Sequence, residues 1–105
     1  MNADEAAAKI ATALQVQKLM LLTNVQGILR DPKEGSSLVP SLHLDEVQDL
    51  IRKKVITDGM IPKVSSCITA LQGGVKKAHI IDGRIKHSLL LEIFTDEGIG
   101  SEIIL

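Results

Sequence analysis

Two ionisable residues stand where helix electrostatics makes them informative. Lys63 follows Asp58-Gly59-Met60-Ile61-Pro62, and Pro62 is tolerated in the first turn of a helix, where its missing N–H is no loss. A cation at such a start is disfavoured by the helix field, and an anion favoured, by typically ~0.3–1 kcal/mol. An ammonium among free backbone N–H groups, with Asp58-Gly59 just before them, suits a phosphate. Asp4, two residues after Asn2, opens an alanine-rich segment, where a first-turn carboxylate is a cap or dipole partner. From the local pattern alone, a solvated lysine and an ordinary helix cap are the simpler account of both.

No other constellation competes. The phosphate loops G-x-x-x-x-G-K-[ST] and G-x-G-x-x-G are absent, and Gly73-Gly74 follows a helical segment, where a C-cap explains it. His43, His79 and His87 are scattered and Cys67 is the single cysteine, so neither a zinc site nor an internal disulfide is expected. Lone thiols fit a reducing compartment, cytosol or plastid stroma.

The elements that must position these residues follow from hydrophobic periodicity. Residues 3–17 are strong helix formers with Ile10 and Leu14 one turn apart and alanines along the rest of that face, which would let the helix approach a sheet closely. Lys18 to Thr23 is a short apolar run of the kind covered on both faces, and is expected to be a central parallel strand. Asn24 to Leu29 leaves the carboxyl end of that strand, Asp31 to Ser37 reads as an exposed loop, and Leu38-Val39 as a short edge strand. Ser41 or Asp45 would cap a helix through about Lys54, buried along Val47, Leu50 and Ile51. Thr57-Asp58-Gly59 breaks the chain before a helix from about Met60, with Met60, Val64, Ile68 and Leu71 on one face, stopped by Gly73-Gly74. Strands are expected over Lys76 to Asp82 and Ser101 to Leu105, with an Asp82-Gly83 turn and a helix over Lys86 to Phe94 between them. This alternation predicts an α/β fold, an αβα sandwich of three layers around a mainly parallel sheet, in one domain. No internal repeat is visible.

Composition narrows the function classes. With 45% apolar residues the 105-residue chain can pack a core, and its single aromatic, Phe94, makes that core aliphatic. Twelve basic and 13 acidic side chains, mixed in sign, leave a net charge of -1. Neither a phosphate-tracking stripe nor base-stacking rings are present, so nucleic acid is not expected as a partner. The apolar runs fall well short of the roughly 20 residues that span a bilayer, and no membrane contact is expected. The N-terminus lacks a secretory signal pattern.

Several segments read together are similar to the acetylglutamate kinase family, a branch of the amino-acid kinase fold. Asn2-Ala3-Asp4 resembles the end of its N-x-N-A-D turn, and Leu21-Leu22-Thr23-Asn24-Val25-Gln26-Gly27-Ile28-Leu29 its strand and nucleotide loop. Asp58-Gly59-Met60-Ile61-Pro62-Lys63 resembles its G-M-x-x-K helix start. Ala78-His79-Ile80-Ile81-Asp82-Gly83-Arg84 and Leu91-Glu92-Ile93-Phe94-Thr95-Asp96-Glu97-Gly98-Ile99-Gly100 resemble its C-terminal region. The match covers nearly the whole chain, in the expected order and spacing.

The resemblance implies that residues 1–105 are the nucleotide-binding, carboxy-terminal part of such a kinase, with the amino-acid-binding half absent and the chain inactive alone. The implied reaction transfers the γ-phosphoryl group of ATP, with Mg2+, to the side-chain carboxylate of N-acetyl-L-glutamate in arginine biosynthesis. Two anions must meet in line, so positioning and charge neutralisation dominate. By resemblance Lys63 and Asp4 are catalytic, Lys63 stabilising the transferring phosphoryl group and Asp4 orienting catalytic lysines. Asn2 lies near the amino-acid substrate, and Thr23, Asn24, Gly27, Gly59, Met60 and Lys63 surround the nucleotide. Asn24 departs from the aspartate common there, removing a charge. By resemblance His79, Glu92 and Gly98 match an allosteric arginine site; from the local pattern alone the simpler account is that Glu92 is a helix-surface charge and Gly98 a turn residue. The family further implies a homo-oligomer and, in photosynthetic relatives, a nitrogen-signalling trimer as partner. The alternative is a non-catalytic nucleotide- or arginine-binding regulatory module.

Overall fold

The computed structural model describes residues 3–31, 33–56, 58–87 and 99–105. Its elements are α1 (Ala3–Leu14), β1 (Lys18–Thr23), a 3-10 turn (Gly35–Ser37), β2 (Ser41–His43), α2 (Leu44–Arg52), α3 (Ile61–Gln72), β3 (Lys77–Asp82) and β4 (Ser101–Ile104). The strands form one sheet in the order β1-β3-β4-β2. β1 with β3, and β2 with β4, are parallel, whereas β3 and β4 are antiparallel. The α/β class and the mainly parallel sheet are those expected from the sequence.

β1 does not take the central place that its apolar run suggested. Among the described residues it pairs on one side only, with β3. An apolar run reports whether the faces of a strand are covered and says nothing of its edges. Here even the faces differ: Leu19 and Leu21 are buried while Leu22 is 46% exposed. The strand buried along almost its whole length is β3, from Ala78 to Asp82.

A second correction concerns α1. Ile10 and Leu14, expected inward, are 59% and 70% exposed, and the helix buries Ala8 and Ala11 instead. Small side chains bring α1 close to α3, whose buried face carries Val64, Cys67, Ala70 and Leu71. Met60 is buried as expected, and Ile68 lies at the margin of the core.

All three α-helices among the described residues end in the same way. Val16 N–H donates to Ala11 O and Gln15 N–H to Thr12 O; Val55 bonds to Leu50 O and Lys54 to Ile51 O; Val75 bonds to Ala70 O and Gly74 to Leu71 O. These are paired 6→1 and 5→2 closures around one left-handed residue, namely Gln15 (φ 50), Lys54 (φ 60) and Gly74 (φ 107). The stop at Gly73-Gly74 is therefore as expected, while α1 ends at Leu14 rather than near Gln17 and α2 at Arg52 rather than Lys54.

Around β2 the register differs from expectation. Leu38 forms an isolated antiparallel bridge with Leu29, and the strand itself is Ser41–His43. His43, not Ser41 or Asp45, occupies the N-cap of α2, and its N–H donates to Glu46 Oε1 at 3.1 Å. Of the helix expected over 86–94, only Lys86 and His87 are described, in a turn with His87 at φ 61.

Candidate functional site

Asp4 and Lys63 are 59 residues apart in sequence and joined in space: Lys63 Nζ donates to Asp4 Oδ2 at 2.9 Å. The pair exists because α1 and α3 lie side by side in the same direction. Asp4 is in the first turn of α1 and Lys63 in the first turn of α3, and the far ends of the two helices also touch, where Gln15 Nε2 donates to Gly73 O at 2.9 Å. Two helix N-termini thus converge on one spot. Their dipoles favour an anion there, and the first-turn N–H groups of Ile61 and Lys63 have no acceptor within the helix. Asp4 offsets the unfavourable helix field at the Lys63 ammonium. The side chains are 23% and 26% exposed, so the pair is accessible from one side yet shielded more than a surface bridge.

Cys67, one turn beyond Lys63 on α3, is fully buried. Burial pushes its thiol up from a usual value near 9 to about 12, Asp4 adding to the rise and Lys63 opposing it. Between those values the folded chain keeps a proton that the unfolded chain has lost. Stability is therefore undiminished below about pH 9, and falls as pH rises toward about 12, by roughly 4 kcal/mol in all. Denaturant titrations across this range should show the fall in the parent and a flatter profile in Cys67→Ala; identical slopes would sink the assignment.

An apolar cleft of about 110 Å3 opens beside the α3 start, lined by Val25, Gly27, Ile28, Leu29, Val55, Ile56 and Met60. Its walls are the loop after β1 and the approach to α3, so Gly27 and Met60 meet here. Met60 is the N-cap of α3 and Lys63 lies in the same first turn, which places the cleft and the ion pair on adjoining surfaces. Thr23 and Asn24 lead into the loop from the carboxyl end of β1. Thr23 O accepts from Gly83 N–H at 2.8 Å, so Thr23 is tied to β3. A Cβ on Gly59 would meet nothing within 4 Å, leaving open space over that backbone. Gly27 is crowded: φ is +147, and a Cβ would lie 2.9 Å from Ser101 Oγ and 3.0 Å from Leu38 Cδ1.

Two features of this region carry little or no signal in the sequence. Ser101 is fully buried; its Oγ accepts from Ile28 N–H at 2.9 Å and donates to Val39 O at 2.6 Å. One hydroxyl thereby fixes the cleft wall, the approach to β2 and β4. Ser101→Ala should strand a buried N–H and cost about 1–3 kcal/mol, lowering the melting temperature by roughly 5–20 °C. An unchanged melt would show that the clasp is dispensable. The second is Asp82, buried at the end of β3, whose Oδ1 and Oδ2 accept from Arg84 Nε and the Arg84 NH2 group, each at 2.9 Å. The Arg84 guanidinium holds the Asp82 carboxyl below the usual carboxylate range. An Asp two residues before an Arg across a turn is the only hint of it.

His79 stands apart from the ion pair. It is buried in the middle of β3, and its Nε2 lies 2.8 Å from Ile99 O, which requires the proton on Nε2. Asn2, Glu92 and Gly98 lie outside the described residues. Among the described residues no helix is long and apolar enough to cross a membrane.

Comparison with known proteins follows the same lines. The amino acid kinase family matches residues 1–82. The chain is 59% identical over 104 residues to an acetylglutamate kinase of Heliobacterium modesticaldum, and 55% over 103 residues to one of Methanobrevibacter smithii. These alignments cover 99% and 98% of this chain and 35% of each relative, so it spans about a third of their length. An N-acetylglutamate synthase from Neisseria gonorrhoeae, crystallised with coenzyme A and L-arginine, is similar in structure with a TM-score of 0.85 and 36% identity, covering 98% of this chain and 23% of that one. A carbamate kinase from Giardia lamblia shares the fold at a TM-score of 0.76 and 24% identity, over 98% of this chain and 32% of its own. The chain belongs to the amino acid kinase family.

Proposed function

We propose that this chain is the nucleotide-binding, carboxy-terminal part of an acetylglutamate kinase, and that Lys63, held by Asp4, neutralises the phosphoryl group as it passes from ATP to the side-chain carboxylate of N-acetyl-L-glutamate. The 2.9 Å contact between Asp4 and Lys63 at two converging helix starts carries this reading. Phosphoryl transfer asks a protein for positioning and fixed positive charge more than for covalent chemistry, and this spot offers an oriented ammonium and two helix dipoles. The adjoining cleft, lined by apolar side chains and Gly27, suits the flat face of a nucleobase. Its volume admits part of a nucleotide, with the phosphates left to reach toward Gly59 and Lys63. Thr23 and Asn24 would flank the ribose side, where an amide in place of a carboxylate lowers the local negative charge.

Among the described residues no three His, Cys, Asp or Glu side chains are placed to hold a metal ion. Mg2+ is commonly held by substrate phosphates, waters and one or two carboxylates. An ion arriving on ATP would neutralise phosphate charge while Asp4 stays engaged with Lys63. Asn2 would face the amino-acid substrate, whose remaining contacts belong to other parts of the kinase. The test is calorimetry of the chain with MgATP, joined to a phosphoryl-transfer assay of the chain supplied with the amino-terminal portion of a relative. Absence of both nucleotide binding and supplied activity would defeat the proposal.

Arginine binding is a second reading, supported by the L-arginine in the similar synthase structure and by the burial of His79 next to Ile99. His79, Glu92 and Gly98 would form that site. Heat released by arginine in the absence of ATP is its signature. A homo-oligomer, and a nitrogen-signalling partner, belong to the same proposal for the whole kinase.

A further inference from the structure

We infer that Gln15 is a positioning residue: a side-chain clasp at the carboxyl ends of α1 and α3 sets the slide of one helix along the other so that Asp4 and Lys63 meet at their amino ends. The inference rests on the catalytic reading of that pair for its functional meaning, though not for its geometry.

The starting observation is strain. Gln15 occupies the left-handed position that closes α1, at φ 50, where glycine is the usual residue and a side chain strains the backbone. The equivalent position of α3 carries Gly74. What the glutamine contributes is its amide: Nε2 donates to Thr12 O at 2.7 Å and to Gly73 O at 2.9 Å. Room for this contact is made on the α3 side. A Cβ on Gly73 would lie 2.5 Å from Thr12 Cγ2, and one on Gly74 2.7 Å from Gln15 Oε1.

The middle of the helix pair cannot set the register by itself. α1 buries only Ala8 and Ala11, and alanines offer low ridges that leave neighbouring registers close in energy. The β1–β3 ladder, starting at Lys18 opposite Lys77, holds the segments that follow the two helices, and the contacts at the helix ends carry that register into α1 and α3. Asp4 and Gln15 are eleven residues apart, about 16 Å along α1, so a fixed lower end translates directly into the place of Asp4 opposite Lys63.

Gln15→Gly separates this role from a simple helix terminus, because only the clasp predicts a change at Lys63, at the far end of the helix pair. Glycine relieves the backbone strain and removes the clasp. The experiment follows the Lys63 ammonium of the 105-residue chain by heteronuclear NMR near neutral pH, with a thermal melt alongside and Asp4→Asn as the unpaired reference. The expected result is an unchanged or higher melting temperature together with loss of the Lys63 ammonium signal to solvent exchange, as in Asp4→Asn. Gln15→Asn, which tolerates the left-handed region but is one methylene too short to reach Gly73 O, should behave likewise. A parental Lys63 signal in both variants overturns the inference. The readout needs no turnover, so it stands or falls separately from the proposed reaction, which the Lys63 substitution described below addresses.

Discussion

Gly100→Ala should leave the chain largely unfolded. Gly100 has φ +77, and a Cβ there would overlap the carbonyl oxygen of Ile80 and lie 2.8 Å from Ile81 Cα. Both obstacles are backbone atoms of β3, a strand bonded on both sides, with β1 on one and β4 on the other. They cannot withdraw without breaking a ladder. Steric conflict of this kind, added to the cost of the left-handed backbone, is expected to exceed about 4 kcal/mol. A domain of this size is stable by only about 5–15 kcal/mol. Circular dichroism and amide dispersion should collapse together; a folded variant melting within a few degrees of the parent would contradict the geometry.

Lys63→Ala should lower the rate of supplied phosphoryl transfer by about 10²–10³-fold, the loss typical when one fixed charge or donor is taken from a developing anion. Binding of MgATP should weaken far less, because the apolar cleft and the helix N–H groups remain. Stability should change by about 1 kcal/mol or less, since the pair is partly exposed and Asp4 keeps the favourable field of the α1 start. Lys63→Arg keeps the charge but not the compact ammonium, and should recover part of the rate. A Lys63→Ala rate equal to the parent would remove Lys63 from the mechanism while leaving the fold assignment untouched.

The elements best read from sequence are those whose signal is local. α3 announced itself through Pro62, its apolar stripe and the glycines that end it. The ends of α1 and α2 did not, because Gln15 and Lys54 occupy positions where composition points to glycine, and only the hydrogen bonds of the finished turn reveal them. The sequence points α1 inward by the wrong face because Ile10 and Leu14 outweigh alanine on any hydrophobicity scale, whereas close helix packing selects small side chains. β2 has one buried residue, Leu42, between exposed Ser41 and His43, too little for a period. The Asp4–Lys63 contact spans 59 residues and was legible only through family resemblance. Ser101 shows the limit most clearly: nothing in Gly100-Ser101-Glu102 foretells a hydroxyl that joins segments 62 and 73 residues away.

That hydroxyl also bears on the order of assembly. β4 is the last strand of the chain, yet it lies between β3 and β2, and β2 has no other strand partner among the described residues. While the chain emerges during synthesis, α1, β1, α3 and β3 can gather, but β2 and the cleft wall at Ile28 wait for residues 101–104. Among the described residues the apolar cleft is thus completed only after residues 101–104 arrive, and a nascent chain halted before Ser101 would have the residues of the Asp4–Lys63 pair but not the clasp on Ile28.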